Sequence, residues 1–326
     1  MLEFLLRRIL QAILVLFVMT VLVFFGVNVI GNPVYIFASS ECNQACIDEI
    51  IVNLGLDQPI WRQYLTFLGN LFQGDLGRSF THGVPAMSLI LERFPATLEL
   101  AIAALVLALG IGLPLGIYAG LKPDSPISKL IMGFSMISFS VPIFWIGLIF
   151  ILIFSVRLGW LPSIGRGDLV SVFGLFEVSF LTWDGLRHLL MPAFTLSLIM
   201  MAMVIRLTRA GMREVLHADY IKFARANGIH ERRVIGVHVL KNILIPIVTV
   251  LGMEFGGVIA FAVVTESIFS WPGVGKMLID AIAVLDRPLI VAYLIFVVVM
   301  FVAINLLVDI LYSVLDPRVR LGGNVS

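Results

Sequence analysis

The stretch "DYIKFARANGIHERRVIGVHVLKNILIPIVTVLGMEFGGVIAFAVV", Asp219–Val264, decides how the chain is read. Its first half is basic. Lys222, Arg225, Arg232, Arg233 and Lys241 stand against two acids, Asp219 and Glu231. The second half, from Ile243 onward, is apolar and carries one charge, Glu254. A helix needs about 20 apolar residues to cross about 30 Å of hydrocarbon. The stretch therefore reads as a charged aqueous segment feeding a membrane span.

The whole chain supports that reading. Of its 326 residues 60% are hydrophobic and only 13% charged, with a mean hydropathy of +1.05. Soluble domains carry about 25% charged residues, so a soluble core is excluded. Six segments are apolar enough to span: 9–30, 97–120, 131–156, 189–205, 243–264 and 289–313. In lipid the backbone must satisfy its own polar groups, and no period-two alternation suggests a barrel. The fold class expected is an all-α polytopic membrane protein with six transmembrane helices. Arg7 and Arg8 precede the first segment as in a signal peptide, but the run is too long and no small-x-small cleavage site follows. It is read as a retained helix. The net charge of +1 gives no ground for a nucleic-acid partner, and none is expected.

Lys and Arg set the orientation. With the N-terminus inside, pieces 1–8, 121–130, 206–241 and 314–326 hold 14 basic residues in 67 positions. The other loops, 31–95, 157–187 and 265–288, hold 8 in 120. Both termini and the basic stretch are thus expected in the cytoplasm. Cys42 and Cys46 fall in the first outside loop, where they form either a small disulfide or two unpaired thiols. No metal site is expected, since the nearest histidine is His82.

The chain divides into a first helix with a cytoplasmic N-terminus (1–30), an outside loop (31–95) and a five-helix core (96–326) containing loop 206–241. The outside loop shows helical spacing at Ile47, Ile50, Ile51 and Leu54, then at Ile60, Tyr64 and Phe67. Trp61, Tyr64, Phe67 and Phe72 suit a bilayer interface, so short interfacial helices packed on the spans are expected there. Glu99, Glu254, Asn305 and Asp309 lie in or near spans, while Arg206 and Arg209 can snorkel from a span end. Glu254 is flanked by Gly252, Gly256 and Gly257, and reads either as a packing carboxyl or as a pathway residue. No array of acids and bases forms a proton or sodium relay.

No enzyme motif survives inspection, and no catalytic residue is expected. "SWPGVGKM", 270–277, has the Gly-Lys of a P-loop. It carries Ser270 where the first Gly is needed and Met277 where Ser or Thr must hold magnesium.

Within the basic stretch, Asp219 suits an N-cap and Asn227-Gly228 a helix stop. Tyr220, Phe223, Ala224 and Asn227 share one face, and a second helix begins near Glu231. The side-chain-poor turn at Ala224, Ala226 and Gly228 suits close approach by another surface, either a protein groove or anionic lipid.

These residues carry a resemblance. The pattern Asp219, Tyr220, Ala224, Arg225, Ala226, Gly228, Val234, His238, Leu240, Asn242 and Pro246 resembles the cytoplasmic loop of permease subunits of ATP-binding-cassette importers, in their dipeptide/oligopeptide/nickel branch. The family's general loop begins Glu-Ala-Ala, where this chain has Lys222, Phe223 and Ala224. "LLRRIL", "LGLDQPIWRQY", "GDLGRS", "RFPATLEL", "TESIFSWPGVGKMLIDAI" and "NLLVDILYSVLDPRVR" extend the likeness over nearly the whole chain, best to the first of the two permease subunits.

The resemblance implies a type I importer fold in a bacterial inner membrane and a non-catalytic, multi-pass subunit. It implies a second homologous permease, two ATPase subunits that bind ATP and magnesium, and an extracytoplasmic binding protein. The chain itself would hold no cofactor. The loop around Ala224–Gly228 would dock in an ATPase groove. Glu266, Trp271, Pro272, Gly273 and Gly275 would lie near the outer gate or the binding-protein dock, or form an aromatic-anchored interfacial turn. Asp280 and Asp286 read as solvent-facing. Peptides are the cargo expected, with nickel, glutathione or another small solute as alternatives. A stand-alone secondary transporter is the reading from another class.

Overall fold

The computed structural model describes residues 2–29, 43–53, 57–172, 174 and 176–315. Most are helical, and they divide into two compact units. One comprises Met1–Phe94 with Gly273–Val302, the other Pro95–Pro272 with Ala303–Ser326.

In chain order α1 spans Leu2–Val29, α2 Gln44–Asn53, α3 Ile60–Phe72 and α4 Ala86–Leu121. Next come α5 (Pro126–Ser140) and α6 (Ile143–Phe150), the latter extended by a π-helical turn, Ile151–Arg157. A two-stranded antiparallel ribbon follows, β1 (Val170–Val172) and β2 (Phe176–Val178). Then α7 covers Trp183–Val215 and α8 Asp219–Ala226. A short helical turn, Glu231–Arg233, and a π-helical turn, Val234–Val239, lead into α9, Leu240–Ile268. Last are α10 (Val274–Ala283) and α11 (Arg287–Leu315).

Two expectations need correction. The expected span 131–156 is not one helix. Val141 adopts extended backbone (φ −92°, ψ 132°), as the residue before Pro142 is pushed to do. Pro142 also has no N–H to continue the ladder. The flanking helical pieces Pro126–Ser140 and Ile143–Arg157 diverge by 109°. The chain is not purely α-helical either, because "VSVFGLFEV" (170–178) doubles back at Gly174 (φ +69°) and pairs Val170 with Val178. Of the six expected spans, four stand as helices long and apolar enough to cross a membrane among the described residues. These are Ala86–Leu121, Trp183–Val215, Glu231–Ile268 and Arg287–Val308. The bent pair makes up to five, and the apolar part of α1, Leu10–Gly26, is shorter.

Local chemistry sets the helix starts. Ser125 accepts from the Ser128 N–H with Pro126 at the first helical position, and Thr182 accepts from the Gly185 N–H. In the first unit α3 packs on α1 as its spacing predicts. The Thr20 and Tyr64 hydroxyls are 3.0 Å apart, and Phe24 stacks on Tyr64 and Phe67. Trp61 and Phe72 stay exposed.

The core of the second unit includes a close contact of α4 with α7. Gly112, Gly116 and Gly120 repeat every four residues and face Val204, Thr208 and Met212, which repeat likewise. A Cβ on Gly116 would stand 2.5 Å from the Thr208 Cβ, and one on Gly120 2.5 Å from the Met212 Cβ. Helices in lipid gain little from hydrophobic burial, so this backbone approach supplies the dispersion contact that holds them. Ile205, Ile243, Ile247 and Leu251 continue the core onto α9.

Gly116→Ala is expected to cost about 1–3 kcal/mol through overpacking, read as a lowered denaturation midpoint of the detergent-purified protein. Gly110→Ala, with nothing within 4 Å of the new methyl, is expected to leave the midpoint unchanged or slightly raised.

Candidate functional site

The basic stretch folds into a short helix and a sharp turn. Its helix begins one residue earlier than the sequence suggests. Ala218 is the N-cap, without a side-chain bond, and Asp219 lies in the first turn. The Asp219 carboxylate accepts from Lys222 at 2.8 Å, which holds it below its ordinary pKa. The end of α8 is a complete Schellman motif: Gly228 N–H donates to Arg225 O and Ile229 N–H to Ala224 O. This requires Gly228 at φ +74°, the left-handed region glycine tolerates. Across the turn Arg225 pairs with Glu231 through two bonds, 2.6 and 3.1 Å. The Asn242 amide donates to the Tyr220 hydroxyl at 2.8 Å, tying α8 to the start of α9.

The expected single face splits in two. Ile221 and Ala224 are buried in the core with Val234, Val239 and Ile243. Tyr220, Phe223, Arg225, Ala226, Asn227 and Gly228 are exposed, Phe223 at 71%. Ala224 therefore anchors the loop, and any approaching surface meets Phe223, Ala226 and Gly228.

The residues 266–275 expected near an outer gate are placed inside. Glu266 is fully buried and accepts from Thr97 Oγ1 at 2.5 Å. Trp271 is fully buried, donates through Nε1 to the Ala96 carbonyl, and packs with Leu100, Leu189 and Leu196. Pro272 is partly buried, and Gly273 and Gly275, in the other unit, are buried.

Beside Trp271 lies a group the sequence did not announce. Arg166, from the segment after α6, donates to Glu99 Oε2 through Nε (2.9 Å) and Nη2 (2.5 Å). It also donates to the Glu177 carbonyl of β2 and lies over the Trp271 ring at 5.7 Å. The other Glu99 oxygen accepts from the Ser179 N–H and hydroxyl and the Phe180 N–H. Both side chains are nearly buried, and the carboxylate is saturated with donors.

Asp286, expected to face solvent, is also fully buried. It accepts from the Ser79 and Thr81 hydroxyls and from the Phe80, Thr81 and Leu289 N–H groups. It thereby ties the "GDLGRS" loop to the first turn of α11. Burial alone would raise its pKa, but the Ser79 and Thr81 hydroxyls with the Phe80 and Thr81 backbone donors prevail and lower it. Asp280 does face solvent, paired with Lys276 at 2.8 Å.

Glu254 is exposed in α9. Arg206 lies over the Phe139 ring at 4.7 Å. Cys42 lies outside the described residues, as does its pairing with Cys46. No group of three metal-ligating side chains occurs among the described residues.

Comparison with known proteins gives a consistent picture. Residues 112–321 match the family described as binding-protein-dependent transport system inner membrane component, and residues 1–101 match its N-terminal companion. The chain is 42% identical to the di/tripeptide transport system permease protein DppB of Pseudomonas aeruginosa, over 98% of this chain and 99% of that one. It is 38% identical to the dipeptide transport system permease protein DppB of Escherichia coli K12, with the same coverage. It is 39% identical to the oligopeptide transport system permease protein AppB of Bacillus subtilis, over 98% and 100%. Among solved structures, a chain of the inward-facing MetNI methionine ABC transporter superposes with a TM-score of 0.53 at 15% identity. That match covers 71% of this chain and 97% of the other, a likeness of fold.

Glu99→Gln leaves the Arg166 guanidinium buried without its counter-charge, and is expected to cost about 3–5 kcal/mol in denaturation measurements. Adding Arg166→Met is expected to recover part of that loss. For Asp286 the folded pKa lies below the ordinary value of 3.8. Its contribution is thus full above about pH 4 and lost as pH falls through the folded value. Protease resistance of the 74–85 loop is expected to fall below pH 4 and to lose that step in Asp286→Asn.

Proposed function

The chain belongs to the binding-protein-dependent transport system inner membrane components, and from that premise we propose that it is one permease subunit of an ATP-driven peptide importer. It forms half of the translocation pathway, and a second homologous permease supplies the other half. Two ATPase subunits bind ATP and magnesium beneath the pair, and an extracytoplasmic protein delivers the cargo. The chain performs no catalysis of its own. The cargo is a di-, tri- or oligopeptide, as the relatives' names indicate for those proteins.

In this reading the chain crosses a bacterial inner membrane six times, with both termini in the cytoplasm. The charge asymmetry of the loops supports that orientation. Residues 1–30 form the first span, 31–95 the outside loop with its interfacial helices, and 96–326 the permease core. The bent pair α5–α6 counts as one broken span and α1 as another, which brings the described helices to six. A Cys42–Cys46 disulfide fits an oxidising exterior.

The observation that carries the mechanism is the exposed turn from Phe223 to Gly228 in loop 206–241. It is rigid, because the Schellman bonds, the Arg225–Glu231 pair and the Tyr220–Asn242 bond all fix it. It joins two of the long helices, α7 and α9. A knob of this kind, docked in an ATPase groove, converts closure of the ATPases into rotation of both spans. Asp219, Arg225 and their neighbours supply charge at its rim, which orients docking more than it strengthens it. Glu266 and Trp271 serve the far end by holding α9 against α4, so that the two ends move together.

Ala226→Trp adds bulk on the exposed face without disturbing the left-handed Gly228. The variant is expected to insert and to retain its second permease, but to lose stimulation of ATP hydrolysis by loaded binding protein at least tenfold. Wild-type stimulation in that variant would contradict the docking role.

A further inference from the structure

A carboxylate in the middle of a span has no partner among the described residues. Glu254 is the central residue of the 29-residue α9, about 21 Å from either end at 1.5 Å per residue. It makes no hydrogen bond or ion pair among the described residues. Two other carboxylates in the same unit are matched, Glu99 by Arg166 and Glu266 by Thr97.

The face it occupies is continuous. Met253, Glu254, Phe261 and Val264 are exposed along one side of α9. Gly257, one turn beyond Glu254, has nothing within 4 Å of where a Cβ would stand. The opposite side, with Leu251, Ile259, Ala262 and Glu266, is buried in the core. A charge facing hydrocarbon at mid-span is costly, so this side faces water or another subunit.

We infer that Glu254 is a cation-selective position of the pathway, receiving the positively charged groups of the cargo as they cross the middle of the membrane. The inference rests on the importer reading and adds a charge preference to it. Every free peptide carries an α-ammonium group, and a basic side chain adds another. A carboxylate on the wall of a narrow aqueous path is strengthened by the low-dielectric surroundings, which focus its field along the path. The open space at Gly257 leaves room for the cargo's own atoms beside the charge. Met253 and Phe261 give the same wall apolar surface that accommodates varied side chains.

The test uses the full transporter in liposomes, with its second permease, ATPases and saturating binding protein. Initial uptake of Lys-Lys is compared with that of Glu-Glu. Glu254→Gln is expected to lower the ratio about fivefold, the size of one solvated charge pair at contact, while Glu254→Asp keeps it. An unchanged ratio in Glu254→Gln overturns the inference. So does loss of the second permease from the purified complex, which would assign the carboxylate to a subunit interface. A second measurement does not depend on the cargo. The thiol introduced by Glu254→Cys is expected to react with a water-soluble maleimide in the assembled transporter, and protection of that thiol overturns the inference. If it is labelled but the unaltered transporter imports neither peptide, the peptide reading alone fails.

Discussion

The close approach of α4 and α7 through Gly112, Gly116 and Gly120 is the contact on which the second unit depends. Side chains of ordinary size on either helix would separate the backbones and remove the dispersion contact that holds helices in an apolar solvent. Because the approach is close, Glu99, in the first half of α4, meets Ser179 and Phe180, just ahead of α7. Arg166 then completes a buried network in which both oxygens of the carboxylate accept. At the other end of the same helix pair, Met212 meets Gly120, and α7 runs on to α8. The basic turn is thus attached to a rigid strut.

That arrangement explains why charge is rare and where it is tolerated. Each of three buried carboxylates has donors: Glu99 from Arg166 and three groups of the 179–180 backbone and side chain, Asp286 from five donors, Glu266 from Thr97. These are structural. Glu254, with no such partner among the described residues, departs from the rule, and residues that depart from local rules mark function more often than stability.

Much of this was legible in the sequence. The spans follow from runs of apolar residues, because the bilayer sets a length that few other constraints imitate. The turn at Asn227-Gly228 follows from glycine's access to left-handed backbone, a local property. The Val141-Pro142 break was equally local, yet the unbroken apolar run around it concealed it. Asp219 looked like a cap because the residue type favours that role, but the helix had already started from Ala218. The pairs that fix the ends were not legible. Glu99 and Arg166 are 67 residues apart and Ser79 and Asp286 207 apart. One sequence holds no signal for such distant partners, so Asp286 read as a surface charge. Ala224 shows the same limit at short range, since helical spacing placed it on a face but did not say that the face was the buried one.

The central claim is that this chain moves peptides only when ATP is hydrolysed by separate subunits seated on its basic loop. The most direct measurement is uptake of a labelled dipeptide into liposomes holding both permeases, with binding protein present and the ATPases added or withheld. The account predicts uptake that requires the ATPases and ATP and persists when proton and sodium gradients are collapsed. Uptake driven by an ion gradient without the ATPases would contradict it.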